Sequence, residues 1–128
     1  MTPEDCISYC LTKNGAYDDY PFGLEITIIK VKGKIFAQFF QLKGENMATF
    51  NCDMLMGELY RKQYPDIVVR GWHCPPVQQP YFNTVPLDNS LTDDVIKEMI
   101  DHSYNRVISK LPKYVQYEMK GENNDQGN

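Results

Sequence analysis

The chain has 128 residues and a formal net charge of −4, with 13 basic residues against 17 acidic ones. That length suits one domain with its own core. The acidic balance works against a protein built wholly around polyanions, because affinity for nucleic acid comes largely from neutralised phosphates. The apolar runs at 26–29 and 35–42 are too short to cross a bilayer, and the first residues, Met1-Thr2-Pro3-Glu4-Asp5, lack the basic and apolar stretches of a signal peptide. A cytoplasmic protein, off the membrane and monomeric, is expected.

Thr2 is set to cap a first helix, with Pro3 at its first position and two acids in its first turn. Cys6, Ile7, Cys10 and Leu11 repeat at helical spacing, and Asn14-Gly15 ends the run. Residues 16–23 read as a loop in which Phe22 offers an anchor. Residues 25–31 are rich in β-branched side chains and read as a strand. Lys32-Gly33 makes a tight turn into a return strand over 34–42. Lys43-Gly44-Glu45 turns again into a third strand over 46–52, completing an antiparallel meander.

Asp53 caps a short helix that runs to about Tyr64, with Leu55, Leu59, Met56 and Tyr60 expected to face inward, and Pro65 ends it. A short strand at 67–69 leads into an irregular loop over 71–80 with three prolines, and residues 81–87 alternate into a further strand. Residues 90–111 carry the clearest helical pattern. Val95, Ile96, Met99, Ile100, Tyr104, Val107, Ile108 and Leu111 form one apolar stripe, with acids early and bases late. Residues 1–113 therefore form one domain. Residues 114–128 are an extension, expected to be disordered from about Gly121, where apolar residues stop.

Several of these segments, in this order, resemble the MmcQ/YjbR family. They are Tyr20-Pro21-Phe22-Gly23, residues 30–37, Asn51-Cys52-Asp53, His73, Phe82-Asn83-Thr84-Val85, His102-Ser103-Tyr104 and Lys110-Leu111-Pro112-Lys113. The resemblance implies an α+β, CyaY-like fold: an antiparallel β-sheet with N-terminal and C-terminal helices packed on one face. It also implies a DNA-binding protein that works through a double-wing arrangement of sheet and loops, with no catalytic residues. In the family a lysine often precedes the Cys-Asp pair, where Asn51 stands here, and a tryptophan often stands at the position of Phe82.

Charge sorted by position supplies the candidate contacts. Lys30, Lys32 and Lys34 flank one turn and would put a compact basic cluster at a hairpin tip, suited to phosphate contact; lysines also commonly protect hairpin tips and sheet edges. Lys43, Arg70 and His73 complete the expected DNA-binding set. Trp72 and Tyr81 are expected to pin the proline-rich loop through buried aromatic area.

No catalytic set is expected. His73-Cys74 lacks a recognisable base and orienting group, and Cys6, Cys10, His73 and Cys74 match no standard zinc spacing. No metal or other cofactor is expected, and the four cysteines, Cys6, Cys10, Cys52 and Cys74, read as reduced thiols. Weak DNA binding without sequence preference is the leading reading. The rivals are a protein-interaction module that uses the sheet face and the 70–82 loop, and a small-ligand binder.

Overall fold

The computed structural model describes residues 1–71 and 73–126, with side chains to Gly121. Helix α1 (Pro3–Leu11) starts in a capping box: the Asp5 N–H donates to Thr2 Oγ1 and the Thr2 N–H donates to the Asp5 carboxylate, each at 3.1 Å. Six strands follow as β1 (Ala16–Asp19), β2 (Thr27–Val31), β3 (Lys34–Leu42), β4 (Glu45–Asn51), β5 (Val69–Arg70) and β6 (Phe82–Pro86). They form a single sheet in the order β1-β2-β3-β4-β6-β5, with every neighbouring pair antiparallel. Helix α2 (Met54–Gln63) links β4 to β5, and α3 (Asp93–Ser109) follows β6. A final helix, α4, covers Lys113–Gln126. This is an α+β fold.

The helices share one face of the sheet. Ile29, Ala37, Phe39, Ala48, Phe50 and Val85 of the strands meet Cys6 and Cys10 of α1, Tyr60 of α2, Ile96, Met99, Ile100 and Val107 of α3, and Met119 of α4 in one buried cluster. The α3 stripe read from periodicity is therefore the core face, with Ile100 fully buried. On the other side of the sheet, Ile28, Thr49 and Thr84 are also fully buried. The two threonine hydroxyls satisfy each other across β4 and β6 at 2.9 Å. The His73 ring packs edge-on against Phe40, centroids 5.4 Å apart, which carries the loop after β5 back toward β3.

Several local expectations are corrected. Residues 16–19 belong to an edge strand rather than a loop. Asp18 and Asp19 argue against a strand by propensity, but the edge position leaves their carboxylates in water, and Asp19 pairs with Lys30. Phe22 is 72% exposed and anchors nothing. The short strand is Val69–Arg70, since residues 65–67 are turn.

On α2, Leu55 and Leu59 face outward, while Tyr60 is buried and Met56 partly so. Gly57 sets that phase: a Cβ there would lie 2.6 Å from Cys52 Sγ and 3.3 Å from the Pro80 carbonyl, so only glycine lets the helix approach this closely. The expected disorder from about Gly121 falls on backbone that is helical to Gln126. Gly127 and Asn128 lie outside the described residues, as does Trp72 with its expected pinning role.

Candidate nucleic-acid interface

Both β-hairpins turn on a Lys-Gly pair with positive φ at both positions: Lys32 and Gly33 at 50° and 77°, Lys43 and Gly44 at 52° and 81°. This is the two-residue turn whose twist suits antiparallel strands, and a lysine there accepts the left-handed backbone region at some cost. The two tips lie at opposite ends of the sheet. Lys34 and Lys43 are separated by the length of β3 and one residue of the turn, about 30 Å at the usual strand rise.

The expected basic set is thus dispersed. Lys30 lies on the sheet rather than at the tip and donates to Asp19 Oδ2 at 2.8 Å, and that contact raises its pKa. Arg70 sits on β5, four strands from Lys30, or about 19 Å at the usual spacing. His73 packs on Phe40, and burial holds its imidazole below the ordinary histidine value. Lys32 and Lys34 remain exposed at the first tip.

A groove of about 520 Å³ opens beside that tip, lined by Gly33, Lys34, Ile35, Asn51, Phe82, Arg106, Val107, Lys110 and Leu111. It brings Lys34 to the basic C-terminal part of α3, and no acidic residue lines it. Among the described residues Lys34, Arg106 and Lys110 have no ion-pair partner, whereas Lys13, Lys30 and Lys62 are each held by a carboxylate. The Arg106 guanidinium lies 5.1 Å from the centroid of the Tyr81 ring. The walls between these cations are apolar: Ile35, Phe82, Val107 and Leu111.

Arg106 was visible in the sequence only among the late bases of α3, and Lys110 there and in the family-like Lys110-Leu111-Pro112-Lys113 segment, neither as a contact. The signal that finds them is the run of bases in the last turns of a helix whose acids all come earlier, and only the fold places that run beside Lys34.

Other segments singled out in the sequence hold the scaffold. Asn83 donates from Nδ2 to the Gly57 carbonyl at 3.2 Å and accepts from Arg61 at 2.6 Å, tying α2 to β6. The Asp53 N–H donates to His102 Nε2 at 3.1 Å, which leaves the ring neutral with its proton on Nδ1. Burial holds His102 below the usual 6.5 despite the nearby Asp53 carboxylate. The Ser103 hydroxyl lies within hydrogen-bond reach of the carbonyls of Asn51 and Met99 and donates to one at a time, and Tyr104 donates to the Asn14 carbonyl while its ring packs edge-on against Phe36.

The cysteines are unbonded thiols. Burial pushes Cys6 and Cys52 up to about 11, and Cys10 higher still, so none of the three is an activated thiolate at neutral pH. Among the described residues no three His, Cys, Asp or Glu side chains form a metal-binding group, and no helix is long and apolar enough to cross a membrane.

A six-stranded antiparallel sheet with helices on one face and a basic groove at one end defines a small α+β domain with a cationic surface feature. The YjbR family model matches residues 11–106, and the chain belongs to that family. The protein YjbR of Escherichia coli K12, itself described as uncharacterized, is 29% identical over 113 residues, covering 88% of this chain and 92% of that one. Protein DR2400 of Deinococcus radiodurans, described by the family-model domain DUF419, superposes with a TM-score of 0.83 at 23% identity, covering 93% of this chain and 88% of that one. A protein from Pseudomonas syringae shares the fold at a TM-score of 0.66 and 17% identity, covering 80% of this chain and 96% of that one.

Proposed function

We propose that the protein is a non-enzymatic, monomeric, cytoplasmic DNA-binding protein that engages the phosphate backbone weakly and without sequence preference. The contact surface is the end of the sheet where the Lys32-Gly33 turn meets the C-terminal part of α3. What supports this reading is one observation: Lys34, Arg106 and Lys110 line a single groove that contains no acidic residue. On a chain of net charge −4, the far field repels DNA and gives no steering, so attraction is local. Among the described residues no helix presents a row of Arg, Asn or Gln suited to a major groove, so sequence readout is not part of the reading.

The test is fluorescence anisotropy with a labelled duplex at low salt, on wild type and on the double variant Lys34→Glu, Lys110→Glu. Both residues are exposed, so the variant is expected to fold. Wild type should bind and the variant should not. Equal binding by the two, in a folded variant, removes the groove from the account.

A further inference from the structure

The outer face of α4 is both basic and aromatic. Met119 is buried in the core and Val115 packs against it. Asn14 Nδ2 donates to the Met119 carbonyl at 3.0 Å, and Gln116 Nε2 donates to the Leu111 carbonyl at 2.8 Å. These contacts fix the rotation of the helix about its axis. On the side away from Val115 and Met119, Lys113, Tyr117 and Lys120 recur at i, i+4 and i+7, with Tyr114 one turn before Tyr117. All four are exposed, Tyr114 at 68% and Tyr117 at 77%. Among the described residues none of the four side chains has a hydrogen bond, ion pair or ring contact. Clustered aromatic surface left in water marks a contact site, whereas a solitary ring does not.

This face adjoins the basic groove. Lys110 and Leu111 line the groove, and the intervening chain keeps Tyr114 within about 14 Å of Lys110. We propose that Tyr114 and Tyr117 stack on bases of single-stranded nucleic acid whose phosphates meet Lys113 and Lys120. The inference rests on the nucleic-acid reading above and names the form of nucleic acid preferred. Charge and ring together set the occupant: the lysines suit a polyanion, and an unpaired base offers a flat face to each tyrosine. Side chains one turn apart have Cβ atoms about 5–6 Å from each other, so neighbouring bases, opened from one another, meet the two rings in turn. Such stacking tolerates any base. In a duplex the base faces already cover one another, so duplex contacts stay with the groove. Glu118 flanks the face, and Glu122 and Asp125 follow it, which confines the contact to the part of α4 before Gly121.

Two measurements test it. The first follows the ring-proton resonances of Tyr114 and Tyr117, assigned by their loss in Tyr114→Phe and Tyr117→Phe, during titration with a single-stranded oligomer of mixed sequence and separately with its duplex. The single strand should shift the rings upfield, as stacking does, and the duplex should not; equal shifts, or none, overturn the stacking. Ring shifts that grow with protein concentration in the absence of oligomer mark the face as a contact between copies of this chain and also overturn it.

The second compares fluorescence anisotropy of the same two oligomers, labelled, at low salt. Wild type should bind the single strand about tenfold more tightly than the duplex, the order of one stacked base. Tyr114→Ala with Tyr117→Ala should lose that preference and keep duplex binding. Both positions are exposed and alanine favours helix, so α4 should persist in that variant. Tyr114→Phe with Tyr117→Phe should keep the preference, because stacking needs the ring and not the hydroxyl. A wild type that binds both forms equally, an alanine pair that keeps the preference, or a phenylalanine pair that loses it overturns the inference and leaves the groove reading intact. Ring-dependent binding of single strand by a protein that does not bind duplex supports the α4 surface and sinks the duplex reading. If neither oligomer binds, both fall.

Discussion

The two ends of the sheet use the same device for opposite surroundings. Each hairpin turns on Lys-Gly with both residues in the left-handed region, and each tip has a groove beside it. At the Lys43 end, the groove of about 570 Å³ is lined by Glu4 and Glu25 among apolar and neutral polar residues, with no cation. At the Lys32 end the lining holds Lys34, Arg106 and Lys110 and no acid. The basic lining comes from how α3 lies on the sheet, which carries Arg106 and Lys110 to the Lys32 end. The acids of the other groove come from elsewhere, Glu4 from α1 and Glu25 from the segment before β2. A lysine at a hairpin tip is thus uninformative alone, and the residues that line the groove beside it decide whether the charge is focused or diluted.

The largest expected effect separates shared scaffold from either end. Ile100 is fully buried in the middle of α3, and Ile100→Ala should lower stability by roughly 2–5 kcal/mol. Thermal or denaturant unfolding measures this, and the molecules that remain folded should bind DNA as wild type does. Next, charge reversal should split the two ends. Lys34→Glu with Lys110→Glu should weaken duplex binding by at least about tenfold at low salt, since phosphate contacts dominate affinity, while Lys43→Glu should leave anisotropy titrations unchanged. Lys30→Gln should also have little effect, because Asp19 already holds that ammonium.

A third prediction concerns pH. His102, which joins α3 to the α2 N-terminus near the basic end, has its folded pKa below the usual 6.5, chiefly through burial. The neutral ring is thus the form that folding favours. Its contribution is fully present above the unfolded value and is lost as pH falls through the folded one. Denaturant midpoints should drop from pH 7.5 toward 5, and His102→Gln should flatten part of that drop. His73, whose pKa burial also lowers, accounts for a further part. Asp53, Glu98 and Arg106 are the charges acting on His102.

The smallest effect contrasts the two turns directly. Lys32→Asn and Lys43→Asn should each raise stability by about 0.5 kcal/mol, since asparagine tolerates positive φ better. Only the former should weaken DNA binding.

How legible this was in the sequence varied with the physics of each element. The α3 stripe, the β2–β3–β4 meander and both Lys-Gly turns could be read because burial and turn chemistry repeat locally. Strand β1 could not, because Asp18 and Asp19 carry loop propensity and only pairing with β2 makes them a strand. The outward Leu55 and Leu59 defeated the hydrophobic pattern of α2, whose phase is set by the contact of Gly57 with Cys52 and Pro80, residues remote from the helix's own sequence. In the candidate site, Lys34 was legible as a basic tip residue. Its juxtaposition with Asn51, Phe82, Arg106 and Lys110 was not, because those residues meet only through sheet order and the angle of α3 across it.

The central claim is that the basic end binds DNA through a few phosphate contacts drawn from Lys32, Lys34, Arg106 and Lys110. The most direct measurement is the salt dependence of duplex affinity for wild type and for the Lys34→Glu, Lys110→Glu variant, with Lys43→Glu as the control for the opposite end. About three contacts predict a log–log slope near −2.7 for wild type, at about −0.9 per contact, retained in Lys43→Glu and lost with binding in the double variant. A wild-type slope near zero, or a Lys43→Glu protein that loses binding while the double variant keeps it, would contradict the account.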